Sequence, residues 1–151
     1  MTIYLAHNFA ARAWLKRHVI PKIEELRHIV TAEWITDDSH LSHEKQRESA
    51  EADVRNITQA DAFILFTDPF SDRHGKGKFM ELGIALALGK RIFLCGDDLT
   101  SSVFYYLPQI TRCASIDGLL DALTANSAKD LIQRDGKSRL RDSRKATGEK
   151  Y

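Results

Sequence analysis

The sequence predicts a single α/β domain built on a doubly wound, five-stranded parallel sheet. Three observations carry that expectation. Short apolar runs alternate with helix-length amphipathic stretches through residue 125. One run, "DAFILFT" at 61–67, is almost continuously hydrophobic, as a central strand covered on both faces must be. At 151 residues and 43% hydrophobic content, the chain is one domain long enough to bury a proper core.

Taken in order, "TIYLA" (2–6) is the first strand. Residues 11–28 read as a helix with Leu15, Val19, Ile23 and Leu26 on one stripe. Pro21 falls inside that pattern and predicts a kink or break, because proline lacks the N–H that the helix needs. "IVTAEW" (29–34) is the second strand, and the polar segment after it becomes a helix with an apolar stripe of Ala50, Val54 and Ile57. "DAFILFT" is the third strand. "KFMELGIALALG" (78–89) is a helix ended by Gly89 in the C′ position. "RIFLCG" is the fourth strand, "SSVFYYL" a short helix or turn, and "TRCASI" the fifth strand. A last helix, "DGLLDALTA", is expected to be capped by Asp117. Repeated βα units of this kind imply helices on both faces of the sheet, in the flavodoxin-like manner.

From Asn126 onward the pattern ends. That segment holds eight Lys/Arg against four Asp/Glu and almost nothing apolar, so 126–151 reads as a basic, flexible tail beside a 1–125 domain. Nothing aromatic is interleaved with its charges to stack on bases, which argues against a nucleic-acid partner. The net charge of +1 is that of an ordinary soluble protein. Cys95 and Cys113 have no CxxC partner and are expected to be buried free thiols. There is no secretory h-region and no apolar run near the roughly 20 residues of a membrane span, so a cytoplasmic protein is expected.

Ligands of open α/β sheets bind outside the carboxyl ends of the strands. That rule gathers His7, Asn8 and Phe9 after the first strand, "TDPFSDRHGKGK" after the third and "GDDLTSS" after the fourth. Asp61 begins the third strand and belongs at the opposite edge, as a structural residue. Asp53, eight residues earlier, stands about two helical turns nearer the ligand edge, where it can share a crevice with Glu81. The loop 67–78 is long for a βα connection and basic, with Arg73, His74, Lys76, Lys78, Gly75 and Gly77. Freed N–H groups at a helix start and these cations favour an anion. The spacing is not that of a Walker A loop. His40, His43 and Glu44 have no third ligand at a recognisable spacing, so neither a metal nor a cofactor is expected. The aromatics of "VFYYLP" suit core packing or a subunit contact better than base stacking.

Three blocks together resemble the nucleoside 2-deoxyribosyltransferase family, including the related 2′-deoxynucleoside 5′-phosphate N-hydrolases. They are "IYLAHNF", the Asp53-x7-Asp61 spacing into an "AD" strand start, and "GKGKFMELGIALALGK", spread over residues 3–95. The resemblance implies that Glu81 is the nucleophile that attacks C1′ of the sugar, that Asp53 is the acid near the leaving base, and that Tyr4 contacts the glutamate. Chemistry agrees with those roles: an oxocarbenium-like centre is trapped by a carboxylate while an acid protonates the leaving nitrogen. His7, Asn8, Arg73, Gly75, Gly77 and Lys78 are the expected substrate-binding positions. The chain departs from the family by having His7-Asn8 where Gly-Pro is frequent, and Gly75 where many members have Asp or Ser. Its extra cations favour a nucleotide over a free nucleoside. The resemblance also implies a homo-oligomer that shares its site between subunits, with residues 104–107 and the helix around Asp53 as the contact surface. Two alternatives stay open: a non-catalytic nucleotide-binding module on the same fold, and an NAD-type glycohydrolase, which the Asp53-x7-Asp61 spacing fits less well.

Overall fold

The computed structural model describes residues 1–36, 42–67 and 76–128. Five strands, β1 (Thr2–Ala6), β2 (Ile29–Val30), β3 (Ala62–Phe66), β4 (Arg91–Cys95) and β5 (Ile110–Cys113), form one parallel sheet in the order β2-β1-β3-β4-β5. β3 lies at the centre and all five of its residues are buried, as its uninterrupted hydrophobicity predicts. Register places Tyr4 beside Phe63 and Phe63 beside Ile92, so these side chains share one face of the sheet. At the amino edge, the Asp61 carboxylate accepts the Thr2 N–H (2.8 Å) and the Thr2 hydroxyl (3.0 Å), which pins β3 to β1 in the expected structural role.

The first helical segment is continuous but changes pitch. A 3-10 turn, Phe9–Ala11, leads into α1 (Arg12–Trp14), a π-helical stretch Leu15–Val19, and α2 (Ile20–Glu25). Pro21 sits in the first turn of α2. The wider π turn just before it accommodates a residue that cannot donate to the preceding turn. The expected break is therefore a bulge. Leu15, Val19 and Ile23 pack inward, and Lys22 meets Asp117 (3.8 Å) at the start of α5 (116–128) on the same face of the sheet. Ser115, not Asp117, caps α5: its hydroxyl accepts the Gly118 N–H (3.1 Å). The helix runs three residues beyond 125.

The second strand is shorter than expected. β2 pairs only with Thr2 and Ile3, and after Thr31 donates to the Ile3 carbonyl (2.9 Å) the chain turns into a 3-10 segment, Glu33–Ile35. The Trp34 indole N–H then takes the Leu5 carbonyl (2.9 Å), an acceptor that a longer β2 would have used. α3 (His43–Gln59) follows, with the Ser42 hydroxyl accepting the Lys45 N–H as N-cap. Its stripe also differs from the expectation. Ala50 and Val54 are exposed, and the inward side carries Ser49, Ala52, Asp53, Asn56 and Ile57. Burial of a largely polar stripe marks this helix face as one wall of a site.

α4 (Lys76–Ala87) begins two residues before the expected start, so Gly77 and Lys78 belong to its first turn rather than to a loop. It ends as predicted, with Gly89 at φ 63° and the Lys90 N–H bonded back to the Ala85 carbonyl (3.0 Å). Tyr105 is core, whereas Val103, Phe104 and Tyr106 on the 3-10 turn Val103–Tyr106 are exposed. Cys95 and Cys113 are buried free thiols. Among the described residues no helix is long and apolar enough to cross a membrane.

Candidate active site

Tyr4 is the floor of the site. Its position in the middle of β1, stacked on Phe63 (ring centroids 5.7 Å apart), leaves it with no exposed surface and aims its hydroxyl at the layer of α3 and α4. The Asp53 carboxyl arrives there from α3 and the Glu81 carboxyl from α4, and both act on the Tyr4 hydroxyl. Neither reaches the full geometry of a formed hydrogen bond, so among the described residues this buried O–H has no settled partner. Three oxygen functions from three elements thus converge.

Electrostatics follow from burial and crowding. Removal from water, then the neighbouring Asp53, pushes the Glu81 carboxyl up to about 8, against a weaker opposing contribution from the Tyr4 hydroxyl. Burial also raises Asp53; the Tyr4 hydroxyl opposes this and the charge of Glu33 adds to it. Burial, Glu81 and Asp53 all push Tyr4 upward, which keeps its proton in place. Two carboxyls this close titrate as a unit. Both carboxyls are thus held toward their protonated forms, and near neutrality Glu81 is the one that keeps its proton in the free protein; a reaction with Glu81 as nucleophile needs that proton passed to Asp53 first.

The other expected positions divide into groups. His7, at the crest of β1, is buried and stacked on Phe66 (5.5 Å), with Trp14 at its edge (6.2 Å). Phe66 points to the opposite face of the sheet from Phe63, so the His7 ring is turned toward α1 and away from the carboxyls. The Asn8 side chain accepts the Ala11 N–H (3.0 Å) as a helix cap. Gly77 lies one turn before Glu81, and a Cβ placed on it would stand 3.9 Å from Glu81 Oε1, which puts the bare edge of α4 beside the carboxyl. Lys78 is buried and donates to the Phe66 carbonyl (3.1 Å), tying the start of α4 to the end of β3. Arg73 and Gly75 lie outside the described residues, as do His74 and His40.

Sequence reasoning missed a cleft of about 500 Å³ that opens beside Asp53, between the turn Glu33–Ile35 and α3. Glu33, Trp34, Ser49 and Ala52 line it together with Asp53. Reading "IVTAEW" as a strand hid Glu33 and Trp34, because it assigned them to the sheet. The spacing of Ser49 and Asp53, one helical turn apart, was the available signal.

A sequence model of the nucleoside 2-deoxyribosyltransferase family matches residues 3–135. The chain belongs to that family. The deoxyribosyltransferase family is one of enzymes, and its fold recurs in solved structures at low identity. The CMP N-glycosidase of Clostridium botulinum superposes with a TM-score of 0.57 at 19% identity, over 83% of this chain and 99% of that one. The 2-deoxyribosyltransferase of the psychrotolerant Bacillus psychrosaccharolyticus superposes with a TM-score of 0.63 at 17% identity, over 80% and 90%. No curated protein sequence matches significantly. The five-stranded parallel sheet is therefore that of the deoxyribosyltransferase fold, as its first three sequence blocks imply.

Proposed function

We propose that this protein cleaves the N-glycosidic bond of a (deoxy)nucleoside or its 5′-monophosphate, in the cytoplasm, through a glycosyl-enzyme intermediate. The observation that carries this reading is the convergence of Glu81 and Asp53, from separate helices, on the buried hydroxyl of Tyr4. Glu81, as carboxylate, attacks C1′ as the bond to the base lengthens. Asp53 gives its proton to the departing base, so the leaving group departs neutral. Tyr4 donates toward Glu81 and holds its orientation. Water, or the N–H of a second base, then takes the sugar from Glu81, which leaves as the carboxylate, while the Asp53 carboxylate accepts the proton that the incoming group loses.

Gly77 at the start of α4, with Arg73 and Gly75 before it, meets the sugar–phosphate end, whereas Lys78, His7 and Asn8, expected to bind substrate, act from behind: Lys78 fixes the start of α4 on β3, and His7 and Asn8 hold the turn after β1. The 5′-phosphate preference rests on the cations. Removing charge at Arg73 and Lys76 together should raise KM for a nucleotide and leave a nucleoside little changed; Lys78, buried on the Phe66 carbonyl, is left in place. The enzyme works as a homo-oligomer. Phe104 and Tyr106 are exposed on the turn Val103–Tyr106, as a contact through residues 104–107 and the helix around Asp53 requires, and a second copy seated there shields the site from water.

Base release decides the reading. Chromatography of a nucleotide panel, with and without an acceptor base, should show a freed base with the wild type and none with Glu81→Ala, whose fold stays intact. Unchanged turnover in that variant defeats the nucleophile assignment. An active 17 kDa monomer at every concentration in light scattering defeats the oligomer.

A further inference from the structure

The cleft beside Asp53 is a feature that the glycosidase reading does not use. It opens from Asp53 between the turn that carries Glu33 and Trp34 and the side of α3 that carries Lys45, Glu48, Ser49 and Arg55, while neither Glu81 nor Tyr4 borders it. Asp53 therefore stands between Glu81 and the cleft, whose own acids are Glu33 on the turn and Glu48 on α3. The charge of Glu33 reaches Asp53, which it raises. If the sugar carbon meets Glu81 and the leaving nitrogen base meets Asp53, the far edge of that base lies along Glu33. Among the described residues Trp34 is the aromatic wall, and its indole N–H is locked on the Leu5 carbonyl (2.9 Å), so its ring face is preset.

We propose that Glu33 is a specificity-determining residue that selects nucleobases carrying an exocyclic amino group. This rests on the glycosidase reading above. A carboxylate only accepts hydrogen bonds. Cytosine and adenine present an amino donor at the ring position where uracil and hypoxanthine present a carbonyl oxygen. Toward the first pair Glu33 gains a charge-assisted hydrogen bond; toward the second it faces an acceptor and is repelled. Because the Glu33 side of the cleft is open to water, the discrimination is modest, about tenfold rather than the far larger ratios of closed polar sites.

The test uses matched substrates that differ only in the amino-for-oxo exchange: deoxycytidine against deoxyuridine 5′-monophosphate, and deoxyadenosine against deoxyinosine. Wild-type kcat/KM for base release should favour the amino member of each pair by about tenfold. Glu33→Gln, whose amide also donates, should erase that preference by slowing the amino member and speeding the oxo member. A merely structural role slows both alike. Equal rates within the wild-type pairs, or a preference that survives Glu33→Gln, overturns the proposal and leaves the glycosidase reading standing. If the wild type frees no base at all, the glycosidase reading fails, and calorimetric binding of the same nucleotides decides: an amino preference lost in Glu33→Gln supports the role of Glu33, and its absence overturns it.

Discussion

Glu81→Gln should stabilise the fold while it removes the activity, and the gain should grow with pH. The Glu81 carboxyl goes from an ordinary value of 4.5 to about 8 in the native state because burial and Asp53 disfavour its charge. Between those values the native protein holds a proton that the unfolded chain has released, so native stability falls as pH rises through this window and levels off above it. Each unit is worth 1.36 kcal/mol, which sets a ceiling of about 4 kcal/mol for the loss between pH 5 and pH 9. Water that enters the partly open site and relaxation around the charge reduce this, and about 2 kcal/mol is the working expectation. Glutamine keeps the shape and cannot ionise. Urea unfolding of both proteins at pH 5 and pH 9 measures the effect, since every other titrating group largely cancels in the difference. The gap in unfolding free energy should widen by about 2 kcal/mol in favour of Glu81→Gln. Parallel curves at the two pH values would refute the burial argument, even if activity were lost.

Asp53→Asn should lower kcat by about a hundredfold to a thousandfold, with the smallest loss for the best leaving base. Equal losses across bases of different leaving ability, measured by chromatography, would remove it from the acid role. Tyr4→Phe takes away a hydroxyl that lowers both carboxyls, so the rise of kcat/KM with pH that reports Glu81 should move to higher pH, with the fold retained by circular dichroism. A profile unmoved by the loss of that hydroxyl would show that Tyr4 does not act on Glu81. Gly96→Ala should destabilise by about 2–3 kcal/mol, because φ is 136° and the new Cβ would lie 2.8 Å from Thr67 Oγ1 and 3.1 Å from the Thr67 carbonyl carbon. Thermal unfolding reads this directly, and a wild-type Tm would show that the close packing of Gly96 on Thr67 gives way without cost.

Much of this protein is dictated locally and is legible in the sequence. The run "AFILF" can only be a strand covered on both sides, the alternation around it demands a parallel sheet, and Gly89 ends α4 because only a residue at ease with positive φ fits there. The Asp53-x7-Asp61 spacing already separated a carboxylate near the ligand edge from one at the other edge, since helix rise and strand direction are regular enough to count along.

What sequence could not decide are choices made by competition between distant groups. β2 stops after Val30 because Trp34 claims the Leu5 carbonyl, a partner 29 positions away. The buried stripe of α3 is the polar one, with Val54 left outside, because the helix turns toward Tyr4 and the cleft rather than toward an apolar layer. Lys78 looks like a solvated loop cation in the sequence, yet it is buried on the Phe66 carbonyl because α4 starts early enough to swing it inward. The raised hold of Glu81 and Asp53 on their protons is likewise a tertiary property: each carboxylate is ordinary alone, and only their burial beside one tyrosine hydroxyl makes them a pair.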